Sequence, residues 1–187
     1  MSTLLKPHLI VFLALLVISQ LACAAQGPGA NIFAFDPEAR LAELGIELPA
    51  SSPPVANYVP AVRSGNWVFL SGMGPCGEMG PGQLGKLGAE RSVEDGYRAA
   101  RRTAVCLLAA LKAEVGDLKK VRRIVRVFGM VNATPDFTQH PQVINGASDL
   151  LVAVFGERGR HARAAVGMAS LPFNIPVEIE MQVELEP

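Results

Sequence analysis

Few side chains in this sequence are suited to chemistry on their own. It holds three cysteines, three histidines and one tryptophan. Three cysteines do not make the disulfide framework of a small secreted domain. Cys23 sits in an N-terminal leader, and Cys76 and Cys106 match no metal-ligand spacing. Cys106 falls on the apolar side of an expected helix, where a buried inert thiol is the default. His8 belongs to the leader, and His140 and His161 have no ligand spacing between them. No metal site is therefore expected. The chain has no G-x-S-x-G, so a nucleophile elbow is excluded. An excess of charge is also missing. Lysine plus arginine and aspartate plus glutamate both number 17, which leaves no footprint for nucleic acid or an anionic membrane surface. The run Gly80-Pro81-Gly82-Gln83-Leu84-Gly85-Lys86-Leu87 imitates a phosphate loop. Leu87 stands where that loop needs Ser or Thr, and the next helix is expected several residues too late to meet a phosphate.

What the chain has in quantity is apolar material. Half of its 187 residues are hydrophobic, enough for one well-buried domain. Residues 1–25 differ from the rest: Lys6 near the start, an apolar run from Leu9 to Leu21, then Ala22-Cys23-Ala24-Ala25. That order is expected for a secretory signal cleaved after Ala24 or Ala25, giving an exported, periplasmic or secreted protein without stable membrane insertion. The rivals are an uncleaved anchor, which needs a span of about 20 apolar residues, and lipidation at Cys23. Residues 26–35 read as a linker and 36–187 as the domain.

Within the domain, Asp36-Pro37-Glu38 opens a short helix. Strands are expected at Tyr58–Val62 and Trp67–Leu70 around a turn at Arg63-Ser64-Gly65-Asn66. Ser92 and Asp95 approximate a capping box. Beyond them Val93, Tyr97, Ala100, Ala104, Leu107, Leu108 and Leu111 form one apolar stripe of a helix that Gly116 ends. Val121–Val131 reads as a strand covered on both faces, Val143–Phe155 as a second helix, and Ala162–Leu171 as another two-sided strand. In Val177–Leu185 apolar residues alternate with Glu178, Glu180, Gln182 and Glu184. The order is β-β-α-β-α-β-β, an α/β (α+β) class with a mixed sheet and both long helices on one face. Two helices cannot cover two faces, so a second copy of the chain is the expected cover.

Arg163 stands inside a small, apolar strand, where a guanidinium is costly to bury without an anion. Its planar fork suits a carboxylate. A pair with Glu178 or Glu180 on a neighbouring strand and a bound ligand carboxylate are both open readings from the spacing alone.

The set His161-Ala162-Arg163-Ala164-Ala165-Val166-Gly167, Leu171-Pro172 and Pro176-Val177-Glu178-Ile179-Glu180 resembles the C-terminal signature of the Rid (YjgF) family. Asn57-Tyr58-Val59, Val68-Phe69-Leu70-Ser71-Gly72 and Val143-Ile144-Asn145 resemble its first two strands and second-helix start. Leu44–Pro49 and Ile144–Leu151 resemble its longer branch, named endoribonuclease-like or chorismate-mutase-like. The resemblance spans roughly residues 36 to 186 and implies a chorismate-mutase-like fold and a homotrimer with sites between subunits. It also implies hydrolysis of reactive enamines and imines to keto acids and ammonia, with no cofactor. By the same resemblance Arg163 grips the substrate carboxylate and Glu178 lies near the attacking water. Tyr58, Ser71, Gly72 and Asn145 match other pocket positions. Ala165 and Met73 depart from the family, standing where many members carry Cys and Gln. A non-catalytic carboxylate-binding trimer is the second expectation, and an endoribonuclease a weaker third.

Overall fold

The computed structural model describes residues 35–50 and 56–187. The expected signal segment, the Cys23 site and nearly all of the expected linker lie outside the described residues. Asp36 caps α1 (Pro37–Glu43) by accepting from the backbone N–H groups of Glu38 and Ala39. The hairpin β1 (Ala61–Ser64) and β2 (Trp67–Met73) turns at Gly65-Asn66. The first strand therefore starts later than expected, and Tyr58 precedes it. Then come α2 (Val93–Val115), β3 (Val121–Asn132), α3 (His140–Phe155), β4 (Ala162–Met168) and β5 (Val177–Leu185). Ser92 and Asp95 form the expected capping box, each side chain bonding the other's backbone N–H, and Gly116 closes α2. Helix α3 begins at His140, because Pro141 fits the first turn.

The sheet runs β1-β2-β5-β3-β4, antiparallel except for the β3–β4 pair joined by α3. This is the expected mixed sheet with both long helices on one face. The alternation of β5 is resolved as its sequence demands. Val177, Ile179, Met181, Val183 and Leu185 are buried, whereas Glu180 is exposed and Glu178, Gln182 and Glu184 are half-buried. The core lies between this face and the stripe of α2, where Leu107, Leu108 and Leu111 are all but fully buried. Each such leucine contributes roughly 1.5–3 kcal/mol, and truncating Leu108 to alanine costs about 2–5 kcal/mol. Gly146 lets α3 approach α2 closely, since a Cβ there would stand 2.0 Å from the Tyr97 carbonyl oxygen.

Within one chain the apolar residues of β3 are covered on both faces, Val125 and Phe128 being half-buried and Met130 buried, whereas Val166 of β4 is exposed. Beneath the helices the sheet is dry, but its other face carries Val62, Trp67, Phe69 and Val166 as exposed large apolar residues. The expectation for Cys106 is also corrected. Cys106 is buried but not a free thiol: it forms a disulfide with Cys76. Helix α2 presents Cys106 to the loop after β2, which no spacing rule for a linear sequence reveals. Lys86 of the glycine-rich run donates to Asn132 Oδ1 (2.9 Å) and the Ala169 carbonyl (2.5 Å), so its amine ties loops together rather than awaiting a phosphate. Asn132 is 1% exposed.

Candidate functional site

The expected site residues fall into two clusters, around Glu178 and around Arg163, and these two side chains stand on opposite faces of the sheet by register. The first is built on a bulge in β2. Leu70 pairs with Met181 and Met73 with Ile179, so β2 takes three steps where β5 takes two. Ser71 and Gly72 occupy that bulge. A Cβ at Gly72 would stand 2.3 Å from Glu178 Oε1, so only glycine lets this carboxylate lie against the backbone. Ser71 donates from its N–H to the Pro60 carbonyl and from its hydroxyl to the Val59 carbonyl at 2.7 Å. These bonds tether the segment that carries the exposed Tyr58. Burial raises the Glu178 pKa, and the like charge of Glu180 raises it further. Tyr58, Ser71, Gly72 and Glu178 all line one cleft of about 450 Å³, together with Phe173, Ile175 and the disulfide. A larger groove of about 830 Å³ lies along α1 and α2. It contains none of the expected residues, and its Lys112 is matched by Glu38 at 2.5 Å.

The second cluster joins β4 to α3. Arg163 Nη1 donates to Asn145 Oδ1 at 2.9 Å and to Ser148 Oγ at 3.0 Å. Asn145 and Ser148 are three residues apart, hence on one face of α3. Behind them His161 Nδ1 donates to the Gly159 carbonyl at 2.7 Å, which fixes the tautomer and leaves Nε2 to accept from Ser148 Oγ at 3.0 Å. Burial lowers the His161 pKa; the Gly159 bond opposes this, and the charge of Arg163 adds to the lowering. Arg163 is exposed, and among the described residues no carboxylate pairs with it. The open reading of an Arg163–Glu178 or Arg163–Glu180 pair is thereby removed, since β3 alone neighbours β4. Sequence reasoning missed Ser148 and gave His161 no role beside it. The spacing of Asn145 and Ser148 was the available signal for the first. Among the described residues no group of acids, cysteines and histidines could hold a metal ion.

A mixed five-stranded sheet with two helices on one face defines a class of small α+β domains. Comparison gives that class a family. Residues 38–185 match the family model described as "YjgF/chorismate_mutase-like, putative endoribonuclease". The chain is 47% identical to Protein TCP17 of Trypanosoma cruzi over 148 residues, which cover 79% of this chain and 92% of that one. It is 48% identical to the protein Atu1372 of Agrobacterium tumefaciens, of unknown function, with a TM-score of 0.74 over 80% of this chain and 92% of that one. A Shewanella oneidensis protein named "putative endoribonuclease" is 35% identical, with a TM-score of 0.76 over 80% and 99%. The chain belongs to the YjgF/chorismate mutase-like (Rid) family.

Proposed function

We propose that this protein hydrolyses reactive enamines and imines to keto acids and ammonia, in a site completed by a second copy of the chain within a homotrimer. The observation that carries this reading is Arg163: an oriented guanidinium, exposed, with no carboxylate of its own among the described residues. Such a fork suits the carboxylate of a small imino acid. The half-buried Glu178 supplies the acid–base group, its raised pKa bringing it nearer to neutrality. The apolar sheet face that carries Val62, Trp67, Phe69 and Val166 supports assembly, since soluble monomers rarely expose patches above a few hundred Å².

The chemistry is modest. The enamine tautomerises to the imine. Water adds to the imine carbon as Glu178 accepts its proton, and that proton passes to nitrogen. The hydroxyl proton then passes by way of Glu178 to nitrogen as the carbon–nitrogen bond breaks and the carbonyl forms, and ammonia leaves. Positioning does most of the work. The export reading of residues 1–25 is supported by the Cys76–Cys106 disulfide, because disulfides persist in oxidising compartments.

The test is ammonia and keto acid release from 2-aminoacrylate made in situ. Wild type should exceed buffer, and Arg163→Ala should not. A non-catalytic carboxylate binder shares Arg163 but does not need Glu178, so Glu178→Gln separates the two: lost turnover with retained keto acid binding supports the enzyme. RNA incubated with the same samples should stay intact. Cleavage abolished by either substitution would favour the endoribonuclease instead.

A further inference from the structure

Arg98, Arg101, Arg102 and Val105 stand three, four and seven positions apart along α2, so they share one face of that helix. Together with Cys76 they line a hollow of about 370 Å³. Its described lining holds three cations and no carboxylate. Arg98 is engaged by Glu94 and Asp95. Arg101 and Arg102 form no ion pair among the described residues. Arg102 is packed against the loop that carries Cys76. The next residue, Gly77, holds φ of 80°, and a Cβ there would stand 2.5 Å from Arg102 Nη2. A side chain at that position would displace the guanidinium. Neither Arg163 nor Glu178 lines this hollow.

The two sulfurs of the disulfide are not equivalent. Cys76 is half-buried and faces the hollow, whereas Cys106 is 7% exposed and does not line it. A thiolate that enters among the arginines therefore meets Cys76 Sγ. The backbone N–H of Cys76 donates to Cys106 Sγ at 2.9 Å, which favours negative charge on that sulfur. The Arg102 carbonyl oxygen lies 2.9 Å from the same sulfur and accepts from it once it carries a proton. Both states of a released Cys106 thus have a partner in place. Cations beside a disulfide also raise the local concentration of an acidic thiol.

We propose that Cys76 is a site of thiol–disulfide exchange selective for small thiols that carry carboxylates, with Arg101 and Arg102 as the carboxylate receptor. The incoming thiolate attacks Cys76 Sγ. The Cys76–Cys106 bond breaks, a mixed disulfide forms on Cys76, and Cys106 leaves with the electron pair and takes a proton from water. One disulfide replaces another, so no further oxidant or reductant is consumed.

The experiment follows opening of the bridge in the full, oxidised protein by mercaptosuccinate, 2-mercaptoethanol and cysteamine, which bear negative, no and positive charge beside the thiol. Each rate is divided by that of the same thiol with a small neutral disulfide, which removes intrinsic nucleophilicity. The adduct is trapped in acid and mapped by peptide mass. Mercaptosuccinate should exceed 2-mercaptoethanol roughly tenfold by this ratio, cysteamine should fall below both, and the adduct should sit on Cys76. The preference should shrink towards unity in about 1 M salt. It should also shrink in the Arg101→Gln/Arg102→Gln double variant, whose ratio with 2-mercaptoethanol should be kept. Equal ratios for the three thiols, a preference that survives both salt and the double variant, or an adduct on Cys106 would overturn the proposal. So would a bridge that none of the three opens until the protein is unfolded. The deaminase reading uses neither Arg101 nor Arg102 and stands or falls separately.

Discussion

Arg163 and Glu178 lie on opposite faces of one sheet. Arg163 stands beside Val127, whose side chain is buried under the helices, and Glu178 stands opposite Met130, three positions along β3. An odd number of steps along a strand changes face. One chain therefore cannot bring both groups to the same small molecule. Under the shared-site reading the two are supplied by different copies, so Arg163→Ala and Glu178→Gln should complement each other. Each variant alone should be inactive. Co-assembled at equal amounts they should regain activity in about a quarter of the sites, because each site draws one group from each of two symmetric neighbours. Mixed oligomers as inactive as either parent would refute the shared site. Sedimentation equilibrium of the wild type should show a trimer, and a stable, soluble monomer at micromolar concentration would remove the shared site altogether.

The element order was legible because hydrophobic period and end signals agreed. The Ser92–Asp95 box, Gly116 and the strict alternation of β5 each specify a boundary locally. Arg163 was legible as an oddity, a charge in a small-residue strand. Its contact with Ser148, and through Ser148 with His161, was not, because these side chains come together only after α3 packs beside β4. The disulfide escaped for the same reason: the pairing of Cys76 with Cys106 is a property of how the β2 loop meets α2. The opposite facing of Arg163 and Glu178 could have been derived only with the β3–β4–β5 register in hand.

Glu178 gives a prediction with a definite sign. Its pKa is raised in the folded chain, chiefly by burial and then by Glu180. Between the ordinary glutamate value and that raised value the folded state holds more protons than the unfolded one. Stability from this group is therefore full at low pH and falls as pH rises through the folded pKa. Glu178→Gln, which keeps the shape and removes the charge, should raise Tm at neutral pH. The gain should vanish in acid. A thermal melt series over pH checks it, and a variant less stable than wild type at neutral pH would contradict the burial argument.

The disulfide closes a loop with a sequence separation of 30 between Cys76 and Cys106. Closing a loop of that size restricts the unfolded chain and stabilises the fold by roughly 3–4 kcal/mol. Cys76→Ser in the full protein should lower Tm by several degrees. Reductant should do the same to wild type and nothing further to the variant. Equal Tm values with and without reductant, with thiol counting showing the bridge broken, would show that the bridge contributes no stability.

Ser148 tests how Arg163 is aimed. Its oxygen accepts from Arg163 and its hydrogen is directed to His161 Nε2, which is free to accept because Nδ1–H is held by the Gly159 carbonyl. Ser148→Ala removes one of the two side-chain bonds orienting the guanidinium and leaves Asn145 in place. A hydrogen bond of this kind contributes about 1 kcal/mol net, so keto acid binding should weaken roughly fivefold. Because Ser148 acts through Arg163 rather than on the reacting carbon, the loss should appear in KM, with kcat nearly kept. His161 adds a pH signature. Its pKa is lowered by burial, so below its ordinary value the unfolded chain binds a proton that the folded one resists. Stability from His161 is full above that value and is lost as pH falls through the depressed one. Protonated Nε2 can no longer accept from Ser148, so wild-type KM should rise over the same acidic range. The KM of Ser148→Ala should be flat there. Parallel pH profiles for the two proteins would show that His161 does not act through Ser148.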